Sequence, residues 1–158
     1  MYEREQIPLR DFRENELWQH DIEMVYTLNE SGLRVLFKKY SQPGGKAMLF
    51  EDLQKMIADS KLKMSRLQLI EAFGCSKQTI VKETDSKSFD NYYQLNYTEF
   101  QEMLSRLAMI FFRDSEMHEE SLQWKLEYIL QQILAILQLK VHFNKIIIEE
   151  FSDSDEDY

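Results

Sequence analysis

A single cysteine, Cys75, stands in the 158 residues. One thiol excludes an internal disulfide and sets the expectation of a reducing, cytoplasmic setting. Glycine and proline are nearly as scarce, at four and two, which argues against turn-dense sandwiches and barrels. No basic apolar leader opens the chain at Met1-Tyr2-Glu3-Arg4-Glu5-Gln6, and no apolar run approaches the roughly 18 residues of a membrane span. The densest run is Ile133 to Leu139. A basic excess is also missing, with 19 Lys plus Arg against 28 Asp plus Glu, so nucleic acid is not expected as a ligand. His20, His118 and His142 lie far apart without partners at zinc spacing, and no metal or cofactor is expected. Gly44-Gly45-Lys46 is no phosphate loop, because Tyr40 and Ala47 stand where that motif needs a glycine and a hydroxyl. No Gly-x-Ser-x-Gly elbow occurs and Cys75 has no nearby histidine, so no enzymatic activity is expected.

What is present is 44% apolar residues, 13% aromatics and 30% charge, rich in Leu, Met, Glu and Lys. That composition predicts an all-α chain, organised as one helical domain over 1–148 and an acidic, extended tail over 149–158. The tail holds Glu149, Glu150, Asp153, Asp155, Glu156 and Asp157, which leaves −3 of the formal −9 for the body. Such a tail suits contact with a basic protein surface, and Ser152 and Ser154 sit in a frame that acid-directed kinases favour.

The apolar spacing predicts a flanking N-terminal helix over about 11–26, through Leu17, Trp18, Ile22 and Val25. Asn29 is placed to cap the next helix, whose face is Leu33, Leu36, Phe37 and Tyr40. Ser41-Gln42-Pro43-Gly44-Gly45 reads as a loop, and Phe50, Leu53 and Ile57 resume helical spacing to about Ser60. Ser65 with Gln68 is a capping box, from which a helix with the face Leu67, Ile70 and Phe73 is expected to run to a stop at Gly74. Residues 75–94 read as a long polar connection. The stripe Phe100, Met103, Leu104, Leu107, Ala108, Phe111 predicts a helix over 97–112. A long C-terminal helix is expected from Ser115 through Leu126, Ile133 and Leu137 to Phe143, either enclosed or presenting an apolar face. Ile146-Ile147-Ile148 follows as a short β-branched run.

Two stretches align with each other. Leu36-Phe37-Lys38-Lys39-Tyr40 precedes a twelve-residue interval, Ser41 to Asp52, with Met48 at its eighth place and Leu53 after it. A second interval, Ser88 to Glu99, has Leu95 at its eighth place and Phe100 after it. Over about 33–112 the chain resembles a pair of EF-hands, helix, twelve-residue loop and helix, of the calmodulin class. The resemblance implies that Met48 and Leu95 pair as a short ribbon between the loops. It also gives the calcium positions, and there the departures are large. The first loop offers Ser41, Pro43, Gly45 and Asp52 as ligands, with Lys46 where the turn glycine belongs. In the second, Ser88, Asp90, Tyr92 and Glu99 stand at ligand places and Tyr93 at the glycine place. Neither loop supplies the six to eight oxygens that calcium takes, and Ser88, Asp90 and Glu99 are the residues any metal would use. The whole pattern is similar to EF-hand-like proteins of ciliated protists, several of them axonemal.

The expected function is a calcium-independent, non-catalytic interaction module serving as a structural subunit of a cytoskeletal, axonemal assembly. Trp18, Trp124, Tyr128 and Ile133 are the expected contacts to its protein partner. The alternative is a calcium-responsive sensor that uses loop 88–99 alone.

Overall fold

The computed structural model describes residues 19–76 and 94–145. Among these the architecture is all-α, with six α-helices and one two-stranded ribbon. Helix α1 spans His20–Leu28 and α2 Glu30–Tyr40; β1 is Met48–Leu49, followed directly by α3, Phe50–Asp59, and α4 is Arg66–Cys75. Strand β2, Gln94–Leu95, opens onto α5, Tyr97–Phe112, and α6 is Leu122–Leu134. Short 3₁₀ turns at Glu116–Glu119 and Ala135–Leu137 bracket α6.

The ribbon pairs Met48 with Leu95 and Leu49 with Gln94, antiparallel. Both eighth-place residues are fully buried. Each strand leads into a helix whose third residue caps it. Asp52 Oδ2 accepts the Leu49 amide at 2.9 Å and the Gln42 side-chain amide at 2.9 Å. Glu99 Oε1 accepts the Asn96 amide at 3.0 Å while Asn96 Oδ1 accepts the Glu99 amide at 2.8 Å. These carboxylates satisfy amides that a helix start would otherwise leave bare.

Helix α5 is the axis of the molecule, packed against α4 on one side and α6 on the other. Its stripe Phe100, Met103, Leu104, Leu107 and Ala108 is buried throughout, which is why a 16-residue helix forms here. The Tyr26 hydroxyl donates to the Gln101 carbonyl and is hydrogen-bonded to the Ser105 hydroxyl, joining α1 to α5. Gly32 lets α2 approach α6 closely: a Cβ there would meet Leu134 at 3.1 Å and Leu139 at 3.3 Å.

Several expectations need correction. The described part of the first helix is His20–Leu28, and residues 11–18 of the expected element lie outside the described residues. Asn29 precedes α2 but its side chain makes no capping bond there. In α4, Leu67 and Ile70 are exposed at 77% and 45%, and the buried face is Leu69, Ala72 and Phe73. Gly74 lies within the helix, which runs on to Cys75. The last helix runs Leu122–Leu134 instead of from Ser115 to Phe143: a separate 3₁₀ turn, Glu116–Glu119, precedes it, and it ends because Gln138 adopts a left-handed conformation (φ 59°) and the Leu139 amide bonds back to the Leu134 carbonyl at 3.1 Å. That closure is a helix-ending motif formed without glycine. Residues 77–93 of the polar connection, the Ile146-Ile147-Ile148 run and the acidic tail lie outside the described residues. No helix among those described is long and apolar enough to cross a membrane.

Candidate functional site

After Gln138 the chain turns back along α6 as an extended strap, residues 139–145. Asn29 holds its middle. The Asn29 amide Nδ2 donates to the carbonyls of Val25 (2.8 Å) and His142 (2.9 Å), and Oδ1 accepts the His142 amide at 2.7 Å. Asn29 is buried, so it serves as a two-sided clasp in place of a helix cap. Farther along, the Asn144 amide donates to Glu127 Oε2 at 2.8 Å and the Gln123 side chain donates to the Asn144 carbonyl at 2.9 Å. Asn144 also reaches the Asp21 carbonyl at 3.4 Å. Burial pushes the Glu127 carboxyl above its ordinary range, and the bonds from Asn144 and Gln123 offset part of that rise.

The strap walls one side of a cleft of about 540 Å³. The other side is aromatic. Trp124 and Tyr128, one turn apart on α6, stack with ring centroids 6.1 Å apart and planes 18° from parallel. Phe112, at the end of α5, meets Trp124 at 5.3 Å and Tyr128 at 5.2 Å, both edge-on. Phe111 stacks on Tyr128 at 5.9 Å. The adjacent pair Phe111-Phe112 thus braces Tyr128 from two directions. Such offset and edge contacts add about 0.5–1.5 kcal/mol per pair beyond burial. Trp124 remains 40% exposed and Phe143, on the strap, 47% exposed.

Charge around the cleft is mixed. Glu120, Glu127 and Lys145 line it, and Glu116 and Glu119 lie exposed on the turn before α6. Lys125 is turned away and buried, its Nζ donating to the His118 carbonyl at 2.6 Å. Ser121 Oγ accepts the Trp124 amide at 3.1 Å and so fixes the start of α6. The result is an apolar recess with a rim of mixed charge, beside the exposed acids Glu116, Glu119 and Glu120 that precede α6.

Two of the four expected contacts, Trp124 and Tyr128, meet in this cleft. Ile133 does not: it is 0% exposed in the core, because the second half of α6 faces the other helices instead of solvent. Trp18, Ser88 and Asp90 lie outside the described residues. Glu99 is a buried helix cap. The sequence reasoning missed Phe143 and the strap, although Gln138 to Asn144 alternates polar and apolar residues with a period of two, the signature of extended chain. No family model matches the chain, and neither a curated protein nor a solved structure matches it.

Proposed function

We propose that this chain is a non-catalytic interaction module, a calcium-independent EF-hand-like scaffold that holds a protein partner in the Trp124–Tyr128–Phe143 cleft. The observation that carries the proposal is the stacked pair Trp124 and Tyr128, braced by Phe111 and Phe112 yet open to solvent on one side. A preorganised aromatic recess of this kind supplies binding energy with little side-chain ordering cost. The acidic residues around it favour a partner segment with an apolar or aromatic anchor flanked by Lys or Arg.

The EF-hand-like part of the reading is supported by the pairing of Met48 with Leu95 at equivalent places of two twelve-residue intervals. Calcium independence is supported by Asp52, which is committed to the Leu49 amide and Gln42, and by Pro43 and Gly45, which bring no side-chain oxygen. The setting in a cytoskeletal, axonemal assembly rests on the family resemblance and is proposed on that basis.

The test is a pull-down from source cells with the parent chain and a Trp124→Glu, Tyr128→Glu double variant, each in calcium and in chelator. The expected outcome is one partner retained equally in both buffers and lost with the double variant, while the variant keeps its cooperative melting transition. A partner held only in calcium would favour the sensor alternative. Retention by the double variant would remove the cleft from the proposal.

A further inference from the structure

A second depression, of about 600 Å³, opens between α3 and α4, and it differs from the aromatic cleft in charge. Ile57, Met64 and Leu69 contribute its apolar part, and Lys61, Lys63 and Arg66 its cations. Arg66 lies over the Phe50 ring at 6.0 Å. Among the described residues no ion pair joins Lys61, Lys63 or Arg66 to a carboxylate. Directly beyond, Leu67 and Ile70 form the exposed apolar ledge of α4. Lys61, Lys63 and Arg66 thus set three cations within six residues beside exposed aliphatic side chains. Together they fit an acidic segment that also carries apolar residues.

The sequence contains such a segment. Residues 146–158 read Ile-Ile-Ile-Glu-Glu-Phe-Ser-Asp-Ser-Asp-Glu-Asp-Tyr, with six carboxylates and no cation. We propose that this segment docks on the α3–α4 surface of its own chain, its carboxylates opposite Lys61, Lys63 and Arg66 and Phe151 against Leu67 and Ile70.

Reach permits the contact. Lys145 lines the same cleft as Trp124, Trp124 touches Phe112, and neighbouring Arg113 holds Glu71 of α4 through two bonds of 2.8 and 3.0 Å. From Lys145 to Arg66 this route crosses two helix spacings of about 8–10 Å and about 8 Å of α4, roughly 30 Å in all. An extended chain covers roughly 3.3–3.6 Å per residue, so Phe151, six residues on, reaches roughly 20 Å, about the two helix spacings to Ile70 beside Glu71, and Asp153 to Asp157 reach roughly 26–43 Å, as far as Arg66 and past it. Tethering keeps the segment at millimolar effective concentration, enough to populate a contact made of individually weak exposed charge pairs. The docked segment would hold the surface against acidic competitors, and phosphate on Ser152 or Ser154 would strengthen it by adding charge. This inference concerns a different face from the aromatic cleft and stands or falls separately from the proposed function.

The experiment uses the full chain with Cys75→Ala and Ser154→Cys, spin-labelled at residue 154 and read by amide signal loss in NMR. The expected result is broadening of the 61–70 amides by roughly twofold or more, reversed at about 0.5 M salt where the Debye length is short. The same broadening should vanish in a Lys61→Glu, Lys63→Glu, Arg66→Glu variant of unchanged melting temperature. Undisturbed 61–70 amides would overturn the proposal. So would broadening confined to 121–131, which would put the segment in the aromatic cleft. Broadening seen only when labelled chains are mixed with unlabelled isotope-enriched chains would assign the surface to a second copy and overturn it equally.

Discussion

Asn29 carries a structural role disproportionate to its size, since one amide side chain answers both backbone groups of His142 and the Val25 carbonyl. Asn29→Ala removes those partners from buried groups and should cost about 1–3 kcal/mol, read as a fall in the urea midpoint. Gln138 presents the opposite case. It occupies a left-handed conformation (φ 59°) that glycine adopts without steric cost, so Gln138→Gly should raise stability by about 0.5–1 kcal/mol in thermal melts. Glu127 makes stability depend on pH in a defined direction. Its carboxyl is raised in the folded chain, chiefly by burial, so the folded state keeps a proton that the unfolded state has released. The stabilisation is therefore complete below about 4.5, the ordinary value, and is lost as pH rises through the raised one. Glu71 works the other way, because the Arg113 guanidinium lowers it and its contribution fades as pH falls. Melting temperature against pH should thus decline less steeply above about 4.5 in Glu127→Gln than in the parent. An unchanged profile would show that Asn144 and Gln123 offset the burial in full.

At the level of elements, α6 has two halves with different duties, and substitution should separate them. Ile133→Ala opens a cavity in the core and should cost about 2–5 kcal/mol. Trp124→Ala, on the open half, loses two aromatic pairs and should cost about 1–3 kcal/mol, less than a full core truncation, while abolishing partner retention. The span of α5 was legible from its unbroken apolar stripe and the start of α4 from the Ser65 capping box; the Asn96 cap of α5 reads as a loop in the sequence. Met48 and Leu95 were legible through the matched twelve-residue intervals. The face of α4 was misread for a physical reason: Leu67, Ile70 and Phe73 satisfy helical spacing as well as Leu69, Ala72 and Phe73 do. The buried set wins because Leu69, Ala72 and Phe73 face α5, with Ala72 fully enclosed, a fit between helices that a hydropathy pattern does not encode. The end of α6 was hidden because its stop is a left-handed glutamine, which carries none of the usual breaker signals. Half of the cleft was consequently visible, since Trp124 and Tyr128 belong to a helix while Phe143 depends on where that helix ends.

Across the whole molecule, the two halves of the resemblance share one ribbon, and the groups at its ends already have partners. Millimolar calcium should therefore leave the melting temperature and tryptophan emission unchanged, as followed by calorimetry and fluorescence. A saturable shift that disappears in Glu99→Gln would point to the sensor alternative instead. The clasp between Asn29 and His142 joins residues 113 apart in sequence, and that separation has a consequence for synthesis. At about 5–20 residues per second, roughly 6–23 s pass between the addition of Asn29 and the addition of its partner. Throughout that interval the strap wall is missing and the Asn29 amide has only solvent or Val25 to bond. A nascent chain that has already extended past α5 thus presents Phe111 and Phe112 without Trp124, Tyr128 or Phe143 to cover them, an apolar surface of the kind that chaperones bind. The aromatic recess comes into being only once the chain has passed Asn144, so a half-made copy lacks the site proposed for the partner.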